Sequence, residues 1–427
     1  MLNKIRKKVI FILLFMCAMW INKQVYCAGY LYTLDNESKN TKDDKNITGY
    51  IEDESSVSVN SESYLKIQPA EFDFKSVSQI LIEPTTNTIL YENNADEKLL
   101  PASVTKVMTL LITMEQIDSG KLKYDDTITC SAKASKMGGS QIWFKENEKL
   151  SVDESLKAIC LASANDVTVA VAEHIAGSEE NFVKMMNEKA KSIGMNNTNF
   201  KNCHGLDEEG HYTTARDISI MSRELITKHP DILKYTSIWM DSLRGGTFGL
   251  TNTNKLIRFY DGATGLKTGS TSSALFNLSA CATRNGTTFL SVVMRAPSSD
   301  IRLQETKQLL DFAFANYDVQ TIFSKDNIVD KEIVEKSLGV NLDVGIAEDV
   351  TVLKNKATNI EVETNVIYDD GIIAPIEKGK KVGKVEIVNK ITNEIIEQRD
   401  IIALNEVNRA KFEDYIKVLF KKLILAC

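Results

Sequence analysis

A hairpin signal past the middle of the chain places the strongest constraint on how this sequence can fold. The segments Phe276 to Thr283 and Thr287 to Met294 are apolar and β-branched, and Arg284-Asn285-Gly286 joins them. Asn-Gly is the preferred sequence of a two-residue hairpin turn, because its two residues accept positive φ angles. The pattern therefore predicts two neighbouring antiparallel strands.

Other segments predict further strands for this sheet and helices to cover it. Ser78 to Ile82 and Thr88 to Tyr91 predict two early strands, and Leu266 to Thr268 predicts one more. Helical patterns are predicted over Val104 to Gln116, after the capping box Ser151-x-x-Glu154, over Asp166 to Ile175 ending at Gly177, over Glu180 to Ile193 ending at Gly194, from Thr213 through Leu225, and over Ile301 to Tyr317. This order predicts an α+β fold, an antiparallel sheet with a helical subdomain, in which the first and last elements join one sheet.

The N-terminal region predicts a secretory signal over residues 1–27. Lysines and an arginine precede the apolar run Val9 to Ile21, which is short for a membrane span, and cleavage is expected after Cys27. Residues 28–69 are polar with few aromatic side chains, which is typical of a flexible linker. We therefore expect an exported protein whose first folded domain covers residues 70–318.

The C-terminal region predicts two more segments. Residues 319–402 contain short Val/Ile runs separated by Gly, Asp and Lys turns, which predicts a small β-sandwich domain. Residues 403–427 predict an amphipathic helix. Phe412, Phe420 and other apolar side chains lie on one face, and most of the lysines lie outside that face. Such a helix favours the membrane interface, and its alternative is a helix packed on the β-domain.

The charge and the cysteine content argue against a nucleic-acid partner and against a disulfide framework. The net charge of −7 and the lack of a basic cluster with interleaved aromatics argue against nucleic acid as a partner. Of seven cysteines, two lie in the predicted signal, and no C-x-x-C is present. Cys160 and Cys281 lie in apolar periodic segments and are expected in the core. No disulfide framework is predicted.

Three short motifs carry the chemistry. Ser103 and Lys106 are three residues apart at the start of a helix, so their side chains share one face and place a nucleophile beside a base. Ser163-Ala164-Asn165 falls between two helices, and Lys267-Thr268-Gly269 falls on a strand. Each motif alone is common, and only their order and context are specific.

Together these motifs resemble those of the penicillin-recognising serine acyltransferases. Pro101 to Met108, Leu161 to Asp166, Cys203 to Leu206 and His211 to Asp217 are similar to segments of the low-molecular-weight D-alanyl-D-alanine carboxypeptidases. The β-domain and the terminal helix resemble the anchored members of that group. The resemblance covers about residues 70–425.

The resemblance implies a role for each site residue. Ser103 is the nucleophile, Lys106 the general base with a pKa lowered by burial and by Lys267, and Ser163 a proton relay to the leaving amine. It further implies that Asn165 holds Lys106 and the substrate amide, that the N–H groups of Ser103 and Ser270 form the oxyanion hole, and that Lys267, Thr268, Gly269 and Arg302 bind the substrate end and its carboxylate. No cofactor and no metal are implied.

The implied substrate is a peptidoglycan stem peptide ending in D-Ala-D-Ala, and β-lactams are the implied inhibitors. The implied location of the protein is the outer face of the cytoplasmic membrane or the cell wall. A D,D-transpeptidase shares every motif. A class A β-lactamase is less favoured because no Glu-x-x-x-Asn loop stands between Asn165 and Lys267. A non-enzymatic penicillin sensor is also less favoured, since all three motifs are intact.

Histidine-based sites are not favoured. A Ser-His-Asp triad lacks a suitably placed histidine, and His204-Asp207-His211 lacks zinc-type spacing. The sequence departs from the family at Ala164, which replaces aspartate, at Ala274, where glycine is frequent, and at Cys203.

Overall fold

The computed structural model describes residues 71–357, 361–369, 371–391 and 393–425. The predicted signal peptide over 1–27, the predicted linker over 28–69 and residue 70 lie outside the described residues. Residues 426 and 427, at the end of the predicted terminal helix, also lie outside them.

Residues 71–316 form a layered α+β unit. Its strands are β1 (Ser78–Glu83), β2 (Thr88–Asn93), β3 (Thr127–Thr129), β4 (Lys149–Ser151), β5 (Met240–Leu243), β6 (Phe248–Thr251), β7 (Ala263–Thr271), β8 (Leu275–Arg284) and β9 (Thr287–Ala296). Its α-helices are α1 (Lys106–Asp118), α2 (Val152–Lys157), α3 (Asn165–Ala176), α4 (Glu179–Ser192), α5 (Ala215–Lys228), α6 (Leu233–Thr236), α7 (Leu256–Phe259) and α8 (Ser299–Asn316).

The main sheet has the antiparallel order β2-β1-β9-β8-β7. The hairpin prediction is confirmed: β8 ends at Arg284, β9 begins at Thr287, and Asn285 and Gly286 have φ angles of 52° and 82°. The early strands join the later ones because β1 pairs with β9, as expected. This pairing carries β7 to an edge of the sheet, next to the helical region.

Both faces of the sheet are buried. Ile80 and Ile82 of β1 pack into the core shared with α1 and α5, whereas Leu81 packs on the other side with Leu309 and Leu310 of α8. This alternation follows from the two-residue period of a strand. The residues from Lys106 to Met114 are all buried, so this predicted helix is covered on most sides.

Helix ends follow the local signals, with one exception. The capping box of Ser151 and Glu154 forms both of its hydrogen bonds, and Gly177 and Gly194 have positive φ angles after α3 and α4. However, α2 is only six residues long, and a π-helical turn over Ala158–Ala162 follows it. This turn ends at Ser163 in the left-handed conformation, with φ of 59°.

The C-terminal domain is all-β, as expected. Its strands are β10 (Tyr317–Phe323), β11 (Ile328–Ile333), β12 (Asn341–Ile346), β13 (Val350–Asn355), β14 (Val362–Tyr368), β15 (Lys381–Asn389) and β16 (Ile395–Ala403). The sheet β11-β12-β16-β15-β14 and the pair β10-β13 share one hydrophobic core. Tyr317 starts β10 rather than ending the preceding helix, because it pairs with Asn355.

The terminal helix α9 (Phe412–Leu425) begins nine residues after residue 403, the start of the predicted helical segment. Val407 pairs with Ile376, and the Ala410 N–H group donates to the Lys336 carbonyl, so this segment is tied to the β-domain. Phe412 and Phe420 are 79% and 61% exposed. Within the residues that the structure describes, no helix combines the length and apolar character that crossing a bilayer requires.

Candidate active site

The first motif forms a short turn at the start of α1. A 3₁₀ turn over Ala102–Thr105 presents Ser103, which is partly exposed, while Lys106 is fully buried. Lys106 Nζ lies 3.0 Å from Ser103 Oγ, as the i, i+3 spacing predicts. The structure therefore brings the candidate nucleophile and base into hydrogen-bond contact.

The surroundings of Lys106 suit a neutral amine. Nζ donates to Asn165 Oδ1 and to the His204 carbonyl, both at 2.7 Å. These two oxygens only accept, whereas the Ser103 hydroxyl can also donate, so two N–H groups and one lone pair satisfy all three contacts. Burial, followed by the positive charge of Lys267, holds the pKa of Lys106 well below its usual range.

The second motif lies at the junction between the π-helical turn and α3. Asn165 is nearly buried, its N–H group donates to the Ser140 carbonyl, and its Nδ2 donates to the Gly138 carbonyl, both at 2.7 Å. A side chain at Gly139 would place its Cβ 2.8 Å from Asn165 Nδ2. Among the described residues, the buried Ser163 hydroxyl has no hydrogen-bond partner. The motif therefore fixes Asn165 and leaves Ser163 Oγ available for a substrate group.

The third motif lies on β7, packed against the 3₁₀ turn over Ala102–Thr105, which we call the nucleophile turn after its candidate nucleophile Ser103. Lys267 and Thr268 are buried, and the Thr268 hydroxyl donates to Thr253 Oγ1 at 2.8 Å. Burial lowers the pKa of Lys267 to about 7, and the nearby positive charge of Arg302 acts in the same direction. A Cβ on Gly269 would lie 2.9 Å from Ser103 N, so this glycine permits the close approach of strand and turn. Ser270, next along β7, is exposed.

Arg302 reaches the same region from α8. It is 5% exposed, and its Nη1 and Nη2 donate to the Asn277 carbonyl and to Ser299 Oγ at 3.2 and 3.1 Å. Asn277 pairs with Gly269 in the sheet, which places the guanidinium one strand away from the third motif. Burial lowers the pKa of Arg302 to about 10. Its Nε makes no hydrogen bond within the described chain.

Several residues of the site gave no signal in the sequence. The carbonyl of His204 is a backbone group, which any residue type provides, and Thr253 lies in a polar loop without a motif. In the sequence Glu179 gives only the signal of a helix residue, yet its Oε1 lies 3.2 Å from the Cys203 N–H nitrogen and 3.4 Å from His204 Nε2. Gly205 is pressed against the nucleophile turn, since a Cβ there would lie 1.9 Å from the Ala102 carbonyl oxygen.

Both histidines near the site serve as buried neutral supports. The Lys201 N–H group donates to His211 Nδ1, so the ring proton is on Nε2 and points at Thr105 Oγ1, 2.9 Å away. Burial lowers the pKa of His204 and of His211 to about 4.

Within the described residues, no group of His, Cys, Asp and Glu side chains forms a candidate metal site. The four described cysteines, Cys130, Cys160, Cys203 and Cys281, are buried free thiols.

These histidines predict a pH dependence of stability. The unfolded chain binds protons on them near pH 6.5, whereas the folded chain binds them only near pH 4, so the free energy of unfolding falls as the pH decreases between these values. The loss is on the order of 3 kcal/mol per histidine. Urea unfolding between pH 7 and pH 4.5 measures it. His211→Gln should flatten the slope, the exposed control His174→Gln should not, and equal slopes for all three proteins would contradict the prediction.

Comparisons with known proteins agree with this arrangement. The D-alanyl-D-alanine carboxypeptidase family description matches residues 65–298, and that of the penicillin-binding protein 5 C-terminal domain matches residues 317–409. D-alanyl-D-alanine carboxypeptidase DacF of Bacillus subtilis is 40% identical over 352 residues, 82% of this chain and 90% of the relative.

Solved structures share the fold. Penicillin-binding protein 5 from Haemophilus influenzae is 29% identical, with a TM-score of 0.69 over 81% of this chain and all of that one. Penicillin-binding protein D2 from Listeria monocytogenes, in its ampicillin-bound form, is 28% identical with a TM-score of 0.53, over 57% of this chain and all of that one. With both domains matched in order and a curated relative covered almost end to end, the chain belongs to the D-alanyl-D-alanine carboxypeptidase family.

Proposed function

We propose that this protein is a serine-type D-Ala-D-Ala carboxypeptidase that removes the terminal D-alanine from peptidoglycan stem pentapeptides through an acyl-enzyme. The observation that carries the proposal is the buried Lys106 amine, within 3.0 Å of Ser103 Oγ and within 2.7 Å of two oxygens that only accept. A serine needs an adjacent base to act as a nucleophile, and a neutral lysine provides one.

Acylation follows from this arrangement. Ser103 Oγ attacks the carbonyl carbon of the penultimate D-alanine, and its proton passes to Lys106 Nζ. The N–H groups of Ser103 and Ser270 stabilise the oxyanion, a contribution of about 3 kcal/mol for one such donor in other enzymes. The C–N bond then breaks, and Ser163 relays a proton to the departing amine of D-alanine. Water attacks the ester with Lys106 again as base, which releases the shortened peptide and restores Ser103.

Substrate selection depends on the free carboxylate at the peptide end. Lys267, Thr268 and Arg302 bind this group, and Asn165 binds the preceding amide. The lowered pKa of Lys267 in the free enzyme rises when a carboxylate arrives, because an opposite charge favours the ammonium form. The β-lactams, which bear a carboxylate beside a reactive amide, are bound in the same way and acylate Ser103.

The proposal is tested by assaying D-alanine release from a pentapeptide together with labelling by a fluorescent penicillin. Both signals should disappear in Ser103→Ala and persist in the exposed control Ser119→Ala. Addition of an amine acceptor separates hydrolysis from transpeptidation. If Ser103→Ala retains both signals the nucleophile is wrongly assigned, and rapid opening of penicillin without D-alanine release would favour a β-lactamase.

Arg302→Gln provides a test of carboxylate binding. We expect kcat/KM for a peptide with a free C-terminus to fall about 10- to 100-fold, since a hydrogen bond to a charged group contributes roughly 1.5–3 kcal/mol. A peptide amidated at its C-terminus serves as the control and should lose much less. Steady-state kinetics on both peptides measures the difference. An equal loss on both would mean that Arg302 supports the fold rather than the carboxylate.

We further infer that the protein is exported and attached to the membrane surface through α9. The exposed Phe412 and Phe420 support this inference, because apolar side chains of this size on a basic terminal helix favour the bilayer interface. The domain limits 1–27, 28–69, 70–318, 319–402 and 403–427 remain predictions.

Membrane attachment is tested with anionic lipid vesicles. Removing residues 412–427 should move the protein from the vesicle pellet to the supernatant. Phe420→Asp should weaken binding about 10-fold or more, since burial of one aromatic side chain contributes about 1.5–3 kcal/mol. The matched control Glu413→Asp, which keeps the charge of the same helix, should bind as before. Sedimentation unchanged by the deletion would contradict the prediction.

A further inference from the structure

A solvent-exposed aromatic cluster lies beside the second motif. Trp143 is 65% exposed, its ring centroid lies 6.1 Å from that of Phe248, and the Arg244 guanidinium lies 5.0 Å above the Phe248 ring. A surface cavity of about 600 Å³ opens between these side chains and Lys145 and Glu146. We call this cavity, lined by Trp143, Phe248, Arg244, Lys145 and Glu146, the aromatic cleft. An exposed tryptophan over a cavity indicates a binding surface.

The backbone holds Trp143 in this position. The buried Asp166 carboxylate accepts hydrogen bonds from the N–H groups of Ile142 and Phe144, at 3.1 and 2.9 Å. Arg244 donates to the carbonyls of Ile142 and Trp143 at 3.1 and 3.3 Å. Trp143 itself has φ of 54°, a left-handed conformation that bulky residues rarely adopt. The surrounding bonds therefore maintain a conformation that keeps the indole in solvent.

The aromatic cleft lies on the chain segment that also supports Asn165 of the candidate active site. Ser140, whose carbonyl accepts the Asn165 N–H group, is three residues before Trp143, so at most about 11 Å of chain separates them. In a stem pentapeptide, four residues lie between the cleaved bond and the sugar, and they span at most about 14 Å. The contacts from Ser103 through Lys106 and Asn165 to Ser140 connect the nucleophile to the loop that carries Trp143, so the sugar and the cleft lie on the same length scale from this loop.

We propose that the aromatic cleft binds the amino-sugar glycan that carries the stem peptide. This inference rests on the proposed function. The exposed, electron-rich face of Trp143 suits the polarised C–H face of a pyranose ring, and Phe248, covered by Arg244, forms the neighbouring wall of the cleft. Lys145 and Glu146 add groups that hydrogen-bond hydroxyls and acetamides, and Arg244, paired with Glu148, completes the polar rim; an apolar surface with a few polar groups is the usual composition of a small-molecule site. The enzyme then recognises both ends of its substrate.

Two substrates test the proposal: a free pentapeptide and the same pentapeptide linked to an N-acetylglucosaminyl–N-acetylmuramyl disaccharide. The wild-type protein should have a higher kcat/KM for the disaccharide substrate. Trp143→Ala should lower the ratio of the two kcat/KM values roughly 10-fold, a difference of about 1.4 kcal/mol, because the variant loses the aromatic face on which a pyranose ring packs. Trp143→Phe should retain part of the preference. The matched control Phe259→Ala, 64% exposed and outside the cleft, should retain all of it.

A binding measurement keeps the inference separate from catalysis. A peptide-free glycan of the same two sugars should bind the wild-type protein in calorimetry and should bind Trp143→Ala more weakly. An unchanged ratio, an equal loss in Phe259→Ala, or the absence of glycan binding would overturn the proposal. An equal loss on both substrates would assign the cleft to the peptide instead. Failure of the wild-type protein to release D-alanine from either substrate would reject the proposed function, while the calorimetry would still decide on the glycan.

Discussion

Lys106→Arg is expected to abolish acylation as fully as Lys106→Met. The site requires a neutral amine, because two of its three partners only accept and the third has to give up its proton. An arginine keeps the positive charge and cannot be deprotonated, so it cannot accept the proton of Ser103. We expect the second-order rate constant for β-lactam acylation to fall by about 10²- to 10⁴-fold in both variants, the usual contribution of a general base. Stopped-flow labelling with a fluorescent penicillin measures it.

The matched control is Lys121→Arg, an exposed lysine beyond the end of α1, which should acylate at the wild-type rate. The pH dependence adds a second criterion. Because the pKa of Lys106 lies well below that of an ordinary lysine, the wild-type rate should already be close to its maximum at a pH where free lysine is protonated. A Lys106→Arg protein that keeps a tenth of the activity, or a wild-type rate that rises up to pH 10.5, would contradict the assignment.

Gly269→Ala should produce the second large loss, although it adds only one methyl group. The new Cβ would lie 2.8 Å from both the Pro101 carbonyl oxygen and Val104 N, and 2.9 Å from Ser103 N. These contacts are with backbone atoms, so either β7 or the nucleophile turn has to move. Because the two N–H groups proposed to bind the oxyanion, those of Ser103 and Ser270, belong to these two elements, a shift of even 1 Å is expected to lower kcat/KM for D-alanine release by about 10²-fold.

Gly249→Ala is the control for this substitution. Gly249 also lies in a strand, and nothing lies within 4 Å of its added Cβ. We expect Gly249→Ala to retain full activity, and both variants to retain the wild-type far-UV circular dichroism spectrum. If Gly269→Ala hydrolyses the pentapeptide at the wild-type rate, the close packing of β7 on the turn is not needed for catalysis.

The features predicted correctly from the sequence are the ones that depend on neighbours along the chain. The Asn285-Gly286 turn, the Ser151 capping box and the glycines after α3 and α4 each express a backbone preference of a few adjacent residues. The observed limits of strands and helices differ from the predicted ones where pairing with a residue far away in the chain determines the conformation. Tyr317 joins a strand because Asn355 lies opposite, and α9 starts late because Val407 pairs with Ile376.

By itself the sequence determined the pairing of Ser103 with Lys106, since a helical turn fixes an i, i+3 contact. Only the tertiary structure decided what kind of lysine Lys106 is. Its low pKa arises from complete burial and from Lys267, which is far away in the chain. Its third partner is the carbonyl of His204, a group that every residue carries and that no motif identifies. The choice of reacting groups is therefore local, whereas their reactivity is a property of the folded environment.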